Sequence, residues 1–428
     1  MIKNINIAEK SGGGLDTLAF AAFFFVGWFI FPVISVFIFL ALLYKFNFDR
    51  RVETFLFFLM ALSFGLVAYT TQSVGIKESD IARYYFSYSL ITDIQATKIF
   101  LLSFLLYGND NPLFFAITFL LTRLFPNNPQ ILPMFWVSVT YFFSFLTIRE
   151  CVLYFSPESR KTYILIIFFA CIGIITFFTV TEILKQVASV SVFGYALMLK
   201  LTKKRGAAAL LLVSVLIHFS SLLLLPVYYL CTKQKILRYL PFLFFISLVL
   251  SFFNFNEILV NIISLFVKQG DLLNRLQYYQ DIQRWTISFR FYAEFILYFL
   301  IIILLYWDYF IAKTQKDKNQ KRPFLVLHSI AFFILLINRG NVHNFIRYIM
   351  GYFPFYIMAM VQLFHIRIVK NEKIALILFA ACFYFYSNVK LLSAQTVRGG
   401  EYANSYMNNN VTGILSSNVV NFLNFRVK

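Results

Sequence analysis

The sequence predicts an all-α fold, a polytopic transmembrane helical bundle, and three observations predict it. Hydrophobic residues make up 60% of the 428 and charged residues only 13%, whereas soluble domains run at roughly 45–50% apolar and about 25% charged. The apolar residues gather in runs long enough to cross a hydrocarbon core at about 1.5 Å per residue. The loops between those runs sort by charge, as membrane topology demands. The same figures exclude a disordered chain, a fibrous repeat and a disulfide scaffold.

Thirty-eight Lys and Arg against 19 Asp and Glu give a net charge of +19. In a soluble chain that excess would raise nucleic acid as a partner. In a membrane protein it is topological, so membrane lipids are expected as partners and nucleic acid is not. The 56 Phe and 26 Tyr fit an AT-rich coding sequence and by themselves indicate no function. Cys151, Cys171, Cys231 and Cys382 lie in or beside apolar segments without paired spacing, so neither a disulfide framework nor a zinc site is expected.

Apolar segments run near 17–44, 53–74, 131–153, 162–180, 183–202, 206–230, 239–255, 287–311, 324–338, 346–364 and 373–390, with a weaker pair at 97–107 and 113–126. The first run is too long for a cleavable signal core, so it reads as a retained first span. One set of loops is basic: 45–51, 149–161, 200–205, 233–238, 313–322 and 367–373. They hold more than half of the Lys and Arg and are expected in the cytoplasm. Segment 206–230 then has both flanks on one side. A helical hairpin with its tip near His218, and arms over 201–217 and 221–238, removes that conflict; the plainer alternative is one broken helix. The weak pair becomes a re-entrant or interfacial hairpin. The expectation is a single integral membrane domain over 1–428, with about 12 spans, both termini outside the cytoplasm, and three long outer regions at 75–130, 256–286 and 391–428. No internal repeat is visible.

Charges at the outer face carry the functional signal. Asp80, Arg83, Tyr84 and Tyr88 follow the second span, and positions 80, 84 and 88 share one helix face. A carboxylate accepts hydrogen bonds from sugar hydroxyls and aromatic rings pack on sugar faces; an interfacial aromatic belt is the plainer explanation. Glu182, Lys185, Gln186 and Ser189 make a polar stripe at the start of another span, or a local ion pair. His218, Ser220 and Ser221 sit at a break in an apolar segment, where backbone groups need partners or a cavity, and a neutral imidazole can accept a proton from a hydroxyl. Arg339, His343 and Arg347, with Tyr348, open a late span. If that helix starts early, 339, 343 and 347 align, and two guanidinium forks can grip a diphosphate. Arg290 is a further cation, with Glu294 one turn on. There is no Walker A loop, no dinucleotide fingerprint and no His-Glu-x-x-His pair, so no metal or cofactor is expected and the substrate should carry its own leaving group.

Four of these elements, in order, resemble the EpsG/Wzy-type polymerases of bacterial surface polysaccharide, the O-antigen or capsular polymerase family. They are the acid with tyrosines (Asp80, Tyr84, Tyr88), a basic residue before Gln (Lys185-Gln186), a His-x-Ser (His218, Ser220) and an Arg-Tyr (Arg347-Tyr348). The family usually has Arg-Gln where this chain has Lys185-Gln186. The resemblance implies a metal-independent glycosyltransferase on a GT-C-like scaffold. It would move a growing glycan from undecaprenyl diphosphate to a hydroxyl of an incoming lipid-linked repeat, at the periplasmic face of the inner membrane. Its partners would be the lipid-linked oligosaccharide and a chain-length regulator. In that reading Arg347, Arg339, Arg290 and Lys185 bind diphosphate. Tyr84, Tyr88, Arg83, Gln186, His343 and Tyr348 contact sugar. His218 or Asp80 handles the acceptor hydroxyl, and which of the two is the base stays open. The rivals are a lipid-linked oligosaccharide flippase, another polyprenyl-phosphate-dependent glycosyltransferase, and a non-enzymatic scaffold.

Overall fold

The structure is a computed structural model that describes residues 14–74, 80–93, 111–155, 177–253, 289–312, 314–365, 403–406 and 411–425, with a few isolated positions between 164 and 175. It is an all-α membrane protein. In chain order the elements are α1 (Gly14–Ile30), α2 (Pro32–Lys45), α3 (Arg50–Tyr69), β1 (Thr71–Val74), α4 (Asp80–Asp93), α5 (Pro112–Leu124), α6 (Ile131–Phe155), α7 (Phe177–Glu182), α8 (Leu184–Leu201) and α9 (Ala207–Ile217). A 3₁₀ turn (Phe219–Leu224) leads to α10 (Leu225–Leu230), α11 (Leu240–Leu250), α12 (Phe289–Ile311), α13 (Gln315–Ile337), α14 (Val342–Gly351) and α15 (Phe353–His365). β2 (Ala403–Tyr406), α16 (Val411–Ser416) and α17 (Val419–Leu423) complete it.

Among the described residues four helices are long and apolar enough to cross a membrane: Arg50–Tyr69, Ile131–Phe155, Tyr292–Ile311 and Gln315–Gly340. Shorter apolar helices lie at Pro32–Lys45, Pro112–Leu124, Ala207–Ile217, Phe219–Leu230 and Phe353–Leu363. The chain divides into two compact units, residues 1–221 with 375–428, and residues 222–374. The stronger part of the weak apolar pair becomes α5, a 13-residue helix. Segment 97–107 and the outer region 256–286 lie outside the described residues, as does 373–390.

In the first unit the expected single span over 17–44 is corrected to a helical hairpin. Phe31 is extended (φ −137°, ψ 73°) ahead of Pro32 at the first position of α2. Proline has no N–H to continue a ladder, and its ring disfavours helical backbone in the residue before it. The arms close on themselves, with the Phe24 and Phe39 rings 5.7 Å apart and Phe24 and Phe48 6.0 Å apart. The start of α1 therefore lies level with the basic loop after α2, whereas a single span would have put it at the opposite end. At the turn of the hairpin, Trp28 Nε1 donates to Ser63 Oγ at 2.9 Å, and Ser63 donates to the Pro32 carbonyl at 2.7 Å.

Helices α3 and α6 pack through small residues. A Cβ on Gly65 would stand 2.0 Å from Ser138 Oγ and 2.6 Å from the Met134 carbonyl oxygen, so only glycine allows this approach. Phe64 stacks on Tyr141 one turn away, ring centroids 3.9 Å apart.

The basic ends of α3, α6 and α8 meet at Glu150. This carboxylate is 1% exposed and pairs with Arg50 at 2.5 Å, with Lys204, and with Arg149 at 3.8 Å. Arg149 also reaches Glu53 at 4.0 Å and donates to Thr54 Oγ1 at 3.0 Å. Three loops assigned to one side by charge thus share one ion cluster. At the opposite end of α3 the tail is strapped down. Tyr69 donates to the Leu423 carbonyl at 3.2 Å, and Gln130 Nε2 bridges the Tyr69 carbonyl (2.7 Å) and the Phe425 carbonyl (3.1 Å). β2 pairs antiparallel with β1, Thr71 opposite Tyr406 and Val74 opposite Ala403. This short ladder adds a strand pair that helical hydropathy did not predict.

In the second unit, aromatic rings join α12 and α13: Phe295 to Phe332 at 4.9 Å and Phe299 to Phe332 at 5.3 Å. A buried polar trio ties in α15. Gln362 Nε2 lies 2.8 Å from His328 Nε2, and Tyr298 Oη lies 2.9 Å from His328 Nδ1. Lys321 pairs with Asp308 at 2.7 Å beside the basic loop between α12 and α13.

Glu150→Ala strands buried Arg149 without its nearest carboxylate, and breaking a buried pair costs about 3–5 kcal/mol. Arg50 is 56% exposed, so Arg50→Ala costs less than about 1 kcal/mol. Thermal unfolding in detergent should show a large drop in melting temperature for the first variant and a small one for the second.

Candidate functional site

The polar stripe on α7 and α8 organises the end of the first unit opposite the ion cluster. Glu182 closes α7, and backbone hydrogen bonds run on through the bend at Ile183, from Ile183 N–H to the Thr179 carbonyl (3.0 Å) and from Val187 N–H to the Ile183 carbonyl (3.1 Å). Lys185 and Ser189 share one face of α8, with Glu182 just before the non-helical Ile183 (φ −106°, ψ 50°). Each meets a different stretch of chain.

Glu182 is buried, and its carboxylate accepts the Ile81 N–H at 3.4 Å in the first turn of α4. A carboxylate is favourable there, because the first turn of a helix exposes unpaired N–H groups and the positive end of its dipole. Asp80 sits beside it, half-buried, with Oδ1 3.6 Å from Arg83 Nη1. Arg83 is half exposed, so the pair holds less than about 1 kcal/mol and a ligand hydroxyl can compete for the carboxylate.

Lys185 stands over two rings, its Nζ 5.8 Å from the Tyr84 centroid and 5.6 Å from that of Phe114. Both lie within cation–π range. Tyr84 and Phe114 are 5.7 Å apart, and Phe114 is backed by Trp136, stacked at 4.9 Å. Gln186 is buried on α8. An ammonium between aromatic faces, one turn from a carboxylate, can hold an anionic oxygen and a sugar face together.

Ser189 binds the His218 turn. Its hydroxyl donates to the Ser214 carbonyl at 2.8 Å, and the Ser214 hydroxyl donates to the Ser189 carbonyl at 2.9 Å. Ser221 Oγ is hydrogen-bonded to Ser189 Oγ as well. Seven residues of straight helix would advance about 10 Å, so one hydroxyl touches both Ser214 and Ser221 only because the chain bends sharply at His218. That residue is extended (φ −155°, ψ 120°) at the end of α9. The helix breaks at His218, as both the hairpin and the broken-helix expectation require.

Tyr88 does not face a ligand. Its side chain is fully buried, and its hydroxyl lies 2.9 Å from the carbonyls of Leu121 and Phe125, the last turn of α5. Burial first, then nearby Tyr69, pushes its phenol up to about 12. Position 88 shares the face of 80 and 84, but that face turns into protein by its second turn. The expected sugar contact is corrected to a brace between α4 and α5.

In the second unit, Arg347 and Tyr348 are half-buried on α14. Asn341 caps this helix, its side-chain oxygen accepting the Asn344 N–H at 2.9 Å. Arg339 lies before the cap in a 3₁₀ turn, Asn338–Gly340, and is exposed. The expected row of 339, 343 and 347 on one helix is therefore broken at Asn341. The backbones of Arg290 and His343 lie on α12 and α14; their side chains are outside the described ones. Among the described residues no group of three His, Cys, Asp or Glu is placed to hold a metal ion.

Sequence reasoning missed Phe114, Ser214 and the His328 trio. Ser214 was findable, four residues before His218 on the same helix. His328 and Gln362 stood out as lone polar residues in apolar runs, without any sign of their partners.

Residues 78–406 match the family described as EpsG family, which is most of the chain. The chain belongs to the EpsG family. The match starts two residues before Asp80 and takes in α4, the α8 stripe, the His218 turn and α14. No curated protein and no solved structure matches the chain. Membership supports a multi-pass membrane protein of polysaccharide biosynthesis, of the glycosyltransferase-like polymerase type.

Two variants separate brace from binding surface in this EpsG-family protein. Tyr88→Phe removes a hydroxyl that touches only helix carbonyls, so it should lower stability by about 1 kcal/mol and leave glycan synthesis at the wild-type level. Tyr84→Ala removes ring contacts with Lys185 and Phe114, so it should cost about 1 kcal/mol of stability and, unlike Tyr88→Phe, reduce glycan synthesis severalfold.

Proposed function

We propose that the protein is a polysaccharide polymerase that transfers a growing glycan from undecaprenyl diphosphate to a hydroxyl of an incoming lipid-linked repeat. The observation that carries this reading is the meeting, along α7 and α8, of an acid, an aromatic-flanked cation and a histidine turn from three separate stretches of chain. Trp136 behind the site and Glu150 in the ion cluster lie 14 residues apart on α6, or about 21 Å of helix. The site therefore belongs to the end opposite the basic loops. By the charge rule that end is the periplasmic face of a bacterial inner membrane.

The acceptor hydroxyl attacks the anomeric carbon of the donor glycan. The bond from that carbon to the diphosphate oxygen breaks, its electron pair leaves on undecaprenyl diphosphate, and the hydroxyl proton passes to a base. Both substrates carry a diphosphate, so two such headgroups have to be held. Lys185 in the first unit and Arg347 in the second are the cations assigned to them, with Arg339 and Arg290 as further guanidinium groups. Preorganised cations lower the barrier most where negative charge grows, at the departing diphosphate. Asp80 and Tyr84 bind the acceptor sugar, with Arg83 and Gln186 beside them in the first unit; His343 and Tyr348 are the sugar-contacting residues assigned in the second. The scaffold is of the GT-C type, and a chain-length regulator is the expected protein partner.

Protein reconstituted with a lipid-diphosphate-linked repeat should yield products longer by whole repeats. Translocation of the labelled lipid with no lengthening would replace this reading with a flippase. In that assay Arg347→Ala should reduce long products by roughly a hundredfold or more, the scale of losing one charge-stabilising donor, with insertion into the membrane unchanged. Asp80→Asn should cut turnover while the lipid-linked substrate still binds.

A further inference from the structure

We propose that the basic surface beside Glu150 binds the phosphodiester headgroup of an anionic phospholipid through Arg51, Lys203 and Arg205. Glu150 is buried and holds two stretches of backbone together, because Arg50 at the start of α3 and Lys204 in the turn between α8 and α9 pair with its two oxygens. Arg51 follows Arg50, and Lys203 and Arg205 flank Lys204, so all three lie one residue from that anchor. Their side chains are exposed, and none of the three has a hydrogen-bond or ion-pair partner among the described residues. Asp49 is the exposed carboxylate beside them, and its side chain accepts the Arg51 N–H at 3.3 Å. Five cations thus face two carboxylates, Glu150 and Asp49.

The charge rule accounts for basic residues on this side of a membrane, but not for the backbone of Lys203. At the end of α8 the Lys204 N–H donates to the Leu199 carbonyl at 2.8 Å and the Lys203 N–H to the Lys200 carbonyl at 3.1 Å. This closure puts Lys203 in the left-handed region, φ 56°, at the position after a helix that glycine normally fills, because a Cβ crowds the backbone there. A cation suits the end of a helix dipole, but Lys200 already stands in the last turn. Lys203 therefore gives up backbone stability while its side chain gains no partner within the chain, and strained backbone of this kind gathers at ligand sites. Deeper in the membrane the same surface turns apolar. Seven residues beyond Arg51 stands Phe58, 46% exposed, and seven beyond Arg205 stands Leu212, 59% exposed, each about two helical turns below the cations. Guanidinium and ammonium groups take phosphate oxygens, and the apolar side chains take the acyl chains beneath. A phospholipid covers both zones, as basic pockets between spans do for anionic headgroups; a free anion or an acidic protein covers the charged zone alone.

Full-length protein in a neutral detergent should melt at a higher temperature as phosphatidylglycerol is added, because a ligand of the folded state stabilises it. Phosphatidylcholine and glycerol 1-phosphate at the same concentration should leave the melting temperature where it was, and high salt should shrink the phosphatidylglycerol shift. Each cation removed should weaken binding about fivefold, the scale of one Lys or Arg beside an anionic membrane, so Arg51→Gln, Lys203→Gln and Arg205→Gln together should weaken it roughly a hundredfold. An equal response to phosphatidylcholine would make this general lipid contact, and an equal response to glycerol 1-phosphate would make it a small-anion site. A stronger response to polyglutamate than to phosphatidylglycerol would make it a protein-docking surface. Each of these overturns the proposal, as does unchanged affinity in the triple variant. Lys203→Gly keeps the test open should the triple variant fail to fold. Glycine relieves the turn, so the lipid-free variant should melt no lower than wild type while its affinity for phosphatidylglycerol falls about fivefold. A lower melting temperature with affinity intact would give Lys203 a role in the fold alone and overturn the proposal.

Discussion

A polar face on a helix inside an apolar bundle has to find its partners within the protein, and at α7 and α8 this constraint shapes everything around it. A buried carboxylate, ammonium or hydroxyl in an apolar bundle is costly unless protein groups satisfy it. Glu182 answers by accepting an N–H from the start of α4, Lys185 by resting on the Tyr84 and Phe114 rings, and Ser189 by holding both sides of the His218 bend. Each of these needs determines where another stretch of chain can go. The position of Asp80 follows from the first, the aromatic surface from the second and the break in α9 from the third.

The same helices carry a different solution at their other end. Around Glu150 the charges neutralise one another, with Arg50, Arg149 and Lys204 on one carboxylate and Glu53 beside Arg149. The bundle is thus bolted at one end by ion pairs and equipped at the other with groups whose partners are weak or replaceable. Each unit has a greasy outward surface, with Phe23, Phe58 and Leu212 exposed in the first and Phe242, Phe252, Trp307 and Phe310 in the second, as lipid contact requires.

Much of this was legible in the residues. Hydropathy announced the membrane, and charge predicted that residues 50, 149 and 204 share an end, because Lys and Arg segregate across a bilayer for a physical reason. Periodicity placed Lys185 and Ser189 on one face, and the His-Phe-Ser-Ser run marked the break. What stayed hidden depended on partners far away in the chain. A run of apolar residues over 17–44 does not reveal that Pro32 turns it back on itself until the Phe24 ring is seen against Phe39. Tyr88 shares the face of Asp80 and Tyr84, but only the position of α5 shows that its end of the face is enclosed. Arg339 and Arg347 share a helical spacing that the Asn341 cap interrupts. The His328 trio joins three helices through side chains whose spacing has no period at all.

The β1–β2 ladder has a consequence for assembly. Residues 71–74 precede the Asp80 helix in the chain, and the strand that completes them is 403–406, with Gln130 and Tyr69 fastening the following segment nearby. During synthesis the early strand emerges from the ribosome long before its mate, so the approach to the acid-bearing helix keeps an open edge until nearly the whole polypeptide has been made. Nascent and prematurely terminated chains accordingly lack the strand that pairs with 71–74, so the ladder closes only on a nearly finished polypeptide.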